Sequence, residues 1–252
     1  MRGAFFLAGA LAVTGSLMVA STAADARRRP EVRVDATPSA VVTAEMALSR
    51  LAREKGVAAA LLETATSDAV MFTPDMVAAQ AALRKGGYAP PSMNRTVRRV
   101  LMSCDGALAV ASGRWQGENS ASGQFVTVWQ RQGDGRGRKD VLKQWKWLAT
   151  AATTDAATTD TARASDAAED DGPELVETSV AACSKIPTER LPAPYPVGTK
   201  FPKEGVSADR SLRWTVRTDA DGAQALMVEL WDGVIPGMID LPLPRKATGA
   251  AS

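Results

Sequence analysis

The chain has 252 residues, 45% of them hydrophobic and 23% charged, enough for one or two folded units with real cores. Its formal net charge of +2 is too small to argue for a nucleic-acid partner or an acidic membrane surface. There is no histidine, so the usual general base, the Ser-His and Cys-His nucleophile pairs and the commonest metal ligand are missing; two cysteines alone build no structural zinc site. Neither a metal nor a cofactor is therefore expected.

Residues 1–26 read as a secretory signal peptide. Arg2 precedes an apolar run from Ala4 to Ala20, and the small-x-small pairs Ser21/Ala23 and Ala24/Ala26 follow as cleavage signals. The run is a little short for a membrane span and contains Gly9, Gly15 and Ser16, so no stable span is expected after cleavage. The expected location is the periplasm or outside the cell, although Arg27-Arg28-Arg29 is awkward for export.

Residues 27–42, charged and Pro-bearing, read as a lead-in. Helical spacing begins at Thr43, with Met46, Leu48 and Leu51 recurring up to Gly56. A second helix is expected over Val57–Ala65, a short strand over Ala69–Phe72, and a third helix over Met76–Lys85, ahead of a Pro90-Pro91 loop. Four extended runs then form a predicted antiparallel meander between Val97 and Leu148. They are cut by Asp105-Gly106, the Gly117–Ser122 cluster and the glycine-rich stretch Gly133–Gly137.

Alternation within the meander separates two faces. Ala107, Ala109, Ala111, Gly113 and Trp115 share one, as do Phe125, Thr127 and Trp129, and Val141, Trp145 and Trp147. A face of small residues beside large aromatics either receives a closely packed helix or leaves a ligand-sized hollow. Trp115, Trp129, Trp145 and Trp147 are more often core than ligand cage, and the Arg136–Lys139 tip is more often solvated than binding.

Residues 150–173 are low in complexity, with the pentad Ala-Ala-Thr-Thr-Asp repeated at 151 and 156, and read as a linker. From 174 to 246 the chain reads as an extension. It starts with helix-like spacing over Glu174–Cys183, continues through a Pro-rich traverse, and forms a hairpin over 211–231 around Asp219-Ala-Asp-Gly222. A lone hairpin is marginal in water and should dock on the first domain. In an oxidising compartment Cys104 and Cys183 can pair, closing a loop of about 80 residues; the alternative is two separate free thiols.

Helices followed by a meander make an α+β domain over 43–149. The residues Ser67–Pro74, Met102–Trp115, Gly123–Arg131 and Trp145–Trp147 resemble the nuclear-transport-factor-2-like superfamily, in its SnoaL-like or ketosteroid-isomerase-like branch of exported bacterial proteins. The resemblance implies a cone of helices on a strongly curved antiparallel sheet, an open-ended cavity, and frequent homodimers through the sheet. The C-terminal hairpin would be an addition to that fold.

A fold of this kind does not deliver an activity. Family enzymes resemble one another in placing a cavity Asp or His base opposite hydrogen-bond donors. Here the candidates are Asp68, Asp105 and Glu118, each more often a cap, turn or solvated carboxylate, with Asp68 the least unsuitable. Three functions compete. The first is a non-catalytic cone holding a small apolar or amphipathic ligand against Phe72, Ala109, Ala111, Trp115, Phe125, Trp129 and Trp147. The second is an isomerase or cyclase with a carboxylate base. The third is an envelope interaction module working through its sheet or hairpin.

Overall fold

A computed structural model describes residues 36–73, 75–86, 94–117, 121–133, 144–154, 175–184, 199–234 and 236–244. The signal segment, the Pro90-Pro91 loop, the Arg136–Lys139 tip, Tyr88, Glu118 and Val141 lie outside them, as does the low-complexity stretch beyond Thr154.

The first helix, α1, is Pro38–Lys55, and α2 is Val57–Thr64. Helix α1 starts inside the expected lead-in because Pro38 occupies the first turn, where a fixed φ and a missing N–H cost nothing. Its buried stripe is Val41, Ala44, Glu45, Leu48, Ser49 and Ala52, a clean i, i+3, i+4 series. The expected stripe was set by larger residues, and Met46 is in fact 64% exposed. Gly56 joins the two helices at φ +86, which suits glycine.

After β1 (Ala65–Phe72) the expected third helix divides. Met76–Ala78 is a short strand, β2, paired with β1, and only Ala79–Arg84 is helical, as α3. The meander comprises β3 (Asn94–Met102), β4 (Leu108–Gln116), β5 (Ser122–Arg131) and β6 (Trp145–Thr154). β6 takes in the first residues of the predicted linker, because Ala151 and Thr153 are buried in the sheet. The helix expected over Glu174–Cys183 is instead a four-residue edge strand, β7 (Glu177–Val180), where β-branched Thr178 and Val180 suit extended backbone.

These seven strands form one sheet in the order β2-β1-β6-β5-β4-β3-β7. It is mixed rather than antiparallel: β1 runs parallel to β6, and β7 parallel to β3. The predicted hairpin is β9 (Leu212–Thr218) and β10 (Gln224–Trp231). It is flanked by β8 (Lys200–Val206) and β11 (Pro236–Pro242), giving a second sheet ordered β11-β10-β9-β8.

Two cores result. On one face of the seven-stranded sheet, Val41, Ala44 and Leu48 of α1 and Leu61 of α2 pack on Ala109, Ala111, Trp115, Trp129 and Trp147. On the other face, Leu108, Val110, Val126 and Val128 meet Leu212, Trp214, Val216, Leu226 and Val228 of the second sheet. The molecule is thus α+β in three layers, and both faces of the large sheet are covered by the chain itself. Among the described residues no helix is long and apolar enough to cross a membrane.

The two sheets are joined by a matched pair of turns. In Ser103–Leu108 the Ser103 N–H donates to Leu108 O, the Ser103 hydroxyl to Asp105 Oδ1, and the Gly106 N–H to Ser103 O. In Ser207–Leu212 the same bonds run from Ser207 N to Leu212 O, from the Ser207 hydroxyl to Asp209 Oδ1, and from Arg210 N to Ser207 O. The turns then grip each other: Asp105 N donates to Asp209 Oδ2 at 2.7 Å and Asp209 N to Asp105 Oδ2 at 3.2 Å. Gly106 (φ +63) and Arg210 (φ +64) hold equivalent left-handed positions. Cys104 and Cys183 form a disulfide beside this junction, with Cα atoms 5.3 Å apart.

Candidate functional site

The polar centre of the helix-side core is a buried ion pair. Glu45 sits in the apolar stripe of α1, and Arg95, two residues before Val97 on β3, shares Val97's face of the strand. Arg95 Nη1 donates to Glu45 Oε2 at 3.1 Å and to Thr127 Oγ1 at 3.0 Å, and both charged side chains are 0% exposed. The Trp129 indole N–H donates to Glu45 Oε1 at 2.8 Å.

Thr127 is within 3.3 Å of the Thr150 hydroxyl, which donates to Val126 O at 3.2 Å. A register shift between Val128 and Trp129 in the β5–β6 ladder sets this arrangement: Trp129 pairs with Trp147, whereas Thr127 pairs with Thr150. The Arg95 guanidinium lies 4.6 Å from the centroid of the Phe125 ring, a cation–π distance.

Satisfaction is incomplete. Arg95 Nε and Nη2 are buried and have no hydrogen-bond acceptor, and the Ser49 hydroxyl, one helical turn beyond Glu45, is also buried without a partner. Nε and Nη2 form one edge of the guanidinium, the side that takes bidentate acceptors. A buried donor left unpaired costs about 1–3 kcal/mol.

The residues expected to line a ligand hollow divide between the two cores. Ala109, Ala111, Trp115, Phe125, Trp129 and Trp147 all lie on the helix side, as alternation predicted. Phe72 does not: its neighbour Met71 faces the helices, and Phe72 belongs to the core between the sheets. There it lines a seam with Val126, Ala149, Ala151, Leu226 and Leu243 that is too tight for a water molecule. The indoles are committed as well, Trp115 to Thr153 O and Trp147 to Leu61 O and Thr64 Oγ1. They line the core with their donors spent.

Asp68 is far from the requirements of a base. Its side chain is 62% exposed and pairs with the Lys203 ammonium at 3.3 Å. Partial burial pushes its carboxyl up, but hydrogen bonding and the Lys203 charge outweigh that and hold it below the ordinary carboxylate value. A base working near neutral pH needs the opposite shift. Asp105 is spent in the turn junction, where its oxygens accept from Ser103, Ala107 and Asp209. Among the described residues there is no cluster of three or more His, Cys, Asp or Glu side chains that could hold a metal ion.

Glu45, Ser49 and Arg95 were not singled out by sequence reasoning. The signal that finds the first two is the small-residue series Val41, Ala44, Leu48, Ala52, which places both polar residues inside the apolar stripe. For Arg95 it is the period-2 step from Val97. No protein-family model matches the chain, and no curated protein matches its sequence.

Proposed function

We propose that the chain is an exported, non-catalytic member of the nuclear-transport-factor-2-like group. In this reading it holds a small amphipathic ligand between α1 and the sheet, with the ligand's polar end at Arg95. The observation that carries the reading is a fully buried guanidinium whose Nε and Nη2 find no partner within the chain, beneath the Phe125 ring in an otherwise apolar core. A ligand with one acceptor-bearing end and an apolar body matches that surface. Export is supported by the Cys104–Cys183 disulfide, which persists in oxidising compartments.

An isomerase or cyclase reading has less support. Among the described residues the buried carboxylate of the helix-side core is Glu45, which already accepts from Arg95 and Trp129, and Asp68 faces outward. The test is mass analysis of small molecules released on denaturing the chain purified from the periplasm. A stoichiometric compound, absent from the Arg95→Met/Glu45→Gln double variant, is expected. A wild-type protein that releases nothing, with only ordered water on Arg95 in a high-resolution crystal structure, would overturn the reading.

A further inference from the structure

The geometry points to a redox latch: the Cys104–Cys183 disulfide holds β7 against β3, and its reduction releases β7 and uncovers that edge of the first sheet. β7 has little else to hold it. It closes one end of the strand order, so β3 is its sheet neighbour, over four residues. Glu177, Thr178 and Val180 are exposed, and Val176 just before the strand is only partly buried against the helix-side core. The ion pair of Glu177 with Arg99 is a surface contact of small worth. The chain then steps to the second sheet through residues 181–184, of which Ala181 is the buried one. The Ala181 N–H donates to Met102 O, the Ala182 N–H to Trp231 O, and the Trp231 indole N–H to Ser184 Oγ. Cys183 lies within this step, and its bond to Cys104 ties the step covalently to the turn after β3.

The turn junction does not need the sulfur. Ala208 stands in Ser207–Leu212 where Cys104 stands in Ser103–Leu108, and the two turns make the same internal bonds. Cys104 itself reaches the second sheet through its backbone N–H, which donates to Ser211 Oγ and is untouched by reduction. Neither cysteine belongs to either apolar core. Cutting the bond therefore acts on β7 rather than on the joined sheets. Cys183 is exposed, so a reductant can reach it. A thiolate of a dithiol reductant attacks Sγ of Cys183, the protein's S–S bond breaks, and Cys104 leaves as a thiolate that takes up a proton. The reductant's second thiolate then displaces Cys183, which is protonated in turn; the reductant departs as its own disulfide and the protein holds two thiols.

The test is amide hydrogen exchange read by mass spectrometry on the full chain, oxidised and after native incubation with dithiothreitol, with free thiols counted. On reduction, peptides over 177–182 should lose their protection, and β3 amides facing β7 should follow. β5 and β10, inside the two sheets, should stay protected, and the near-ultraviolet circular dichroism of the buried tryptophans should be kept. Cys104→Ala/Cys183→Ala should show the released pattern without reductant and no response to it; if that variant fails to fold, the reduced wild type still decides. Three results overturn the latch. One is β7 protected as before once both thiols are free, which means that its pairing with β3 suffices. Another is loss of protection through both sheets together with the tryptophan signal, which makes the bond a support of the whole fold. The third is a disulfide that dithiothreitol leaves intact in the folded chain.

Discussion

Breaking the buried pair should be far more damaging than deleting it. Glu45→Ala removes an acceptor from Arg95 and from the Trp129 indole, and leaves a guanidinium charge with no counter-charge in a site with no solvent exposure. Losing one partner of such a pair costs about 3–5 kcal/mol. For a chain of this size, about 2–4 °C of Tm per kcal/mol gives a fall of roughly 6–20 °C. Arg95→Met should cost a similar amount, because it strands the Glu45 carboxylate with only the indole N–H. The double variant Glu45→Leu/Arg95→Met replaces both charges with apolar side chains, and should recover to within about 1–2 kcal/mol of wild type or exceed it. Urea unfolding followed by tryptophan fluorescence measures wild type, Glu45→Leu, Arg95→Met and the double variant, the four corners of the cycle, with m-values compared to confirm that the denatured state is unchanged. Additive single effects, or a Glu45→Ala cost below about 1 kcal/mol, would refute the reasoning, because a desolvated pair cannot behave as two independent residues.

Arg210→Gly should stabilise the chain by about 0.5–1 kcal/mol, since Arg210 holds a left-handed conformation that the equivalent Gly106 adopts without a Cβ penalty; thermal melts of the two proteins decide it. Reducing Cys104–Cys183, which spans 79 residues, should cost about 4.5 kcal/mol in the chain-entropy model, read as the shift in urea midpoint with and without a thiol reductant. The lowered Asp68 carboxyl contributes stability that is present above its ordinary value of 3.8 and is lost as pH falls through the folded value. Its exposure keeps that contribution below about 1 kcal/mol. Lys203→Met should move the Asp68 carboxyl upward in a carbon-detected NMR titration, and an unmoved titration would remove Lys203 as the cause.

Alternation along the meander was enough to place Ala109, Ala111, Trp115, Phe125, Trp129 and Trp147 on one face, because a period of 2 leaves a strand only two ways to point. Phe72, named with them as a lining residue, lies outside the meander, and its four-residue run gives no reference for which face meets the helices; it packs between the sheets. Strands β8 and β11 were hidden by Pro202, Gly205, Pro236 and Pro242, which read as turn residues but are tolerated at a sheet edge. β7 was missed because Leu175, Val176 and Val180 satisfy a helical spacing by chance, while the strand draws its stability from pairing with β3. The site was least legible. A charged residue inside an apolar stripe looks like an error of the pattern until its partner, fifty residues away in sequence, is brought against it.

The matched turns bear on where a partner can act. Ser103–Leu108 and Ser207–Leu212 share their internal bonds, and each carboxylate accepts the other turn's N–H. The second sheet is therefore fastened to the first at this corner by reciprocal polar contacts as well as by the apolar core beneath. Pairing of two copies through a face of the seven-stranded sheet would have to displace either α1 or this junction. The edges offer little more: β2 and β7 are short, and Pro202, Pro236 and Pro242 remove ladder donors from β8 and β11. On the other face of the second sheet, Arg213 pairs with Glu204 and Glu229, and Arg217 with Asp219 and Asp240, around Thr215 and Met227, which are themselves buried. The unpaired Nε and Nη2 of Arg95 lie beneath these covered surfaces, inside the core between α1 and the sheet.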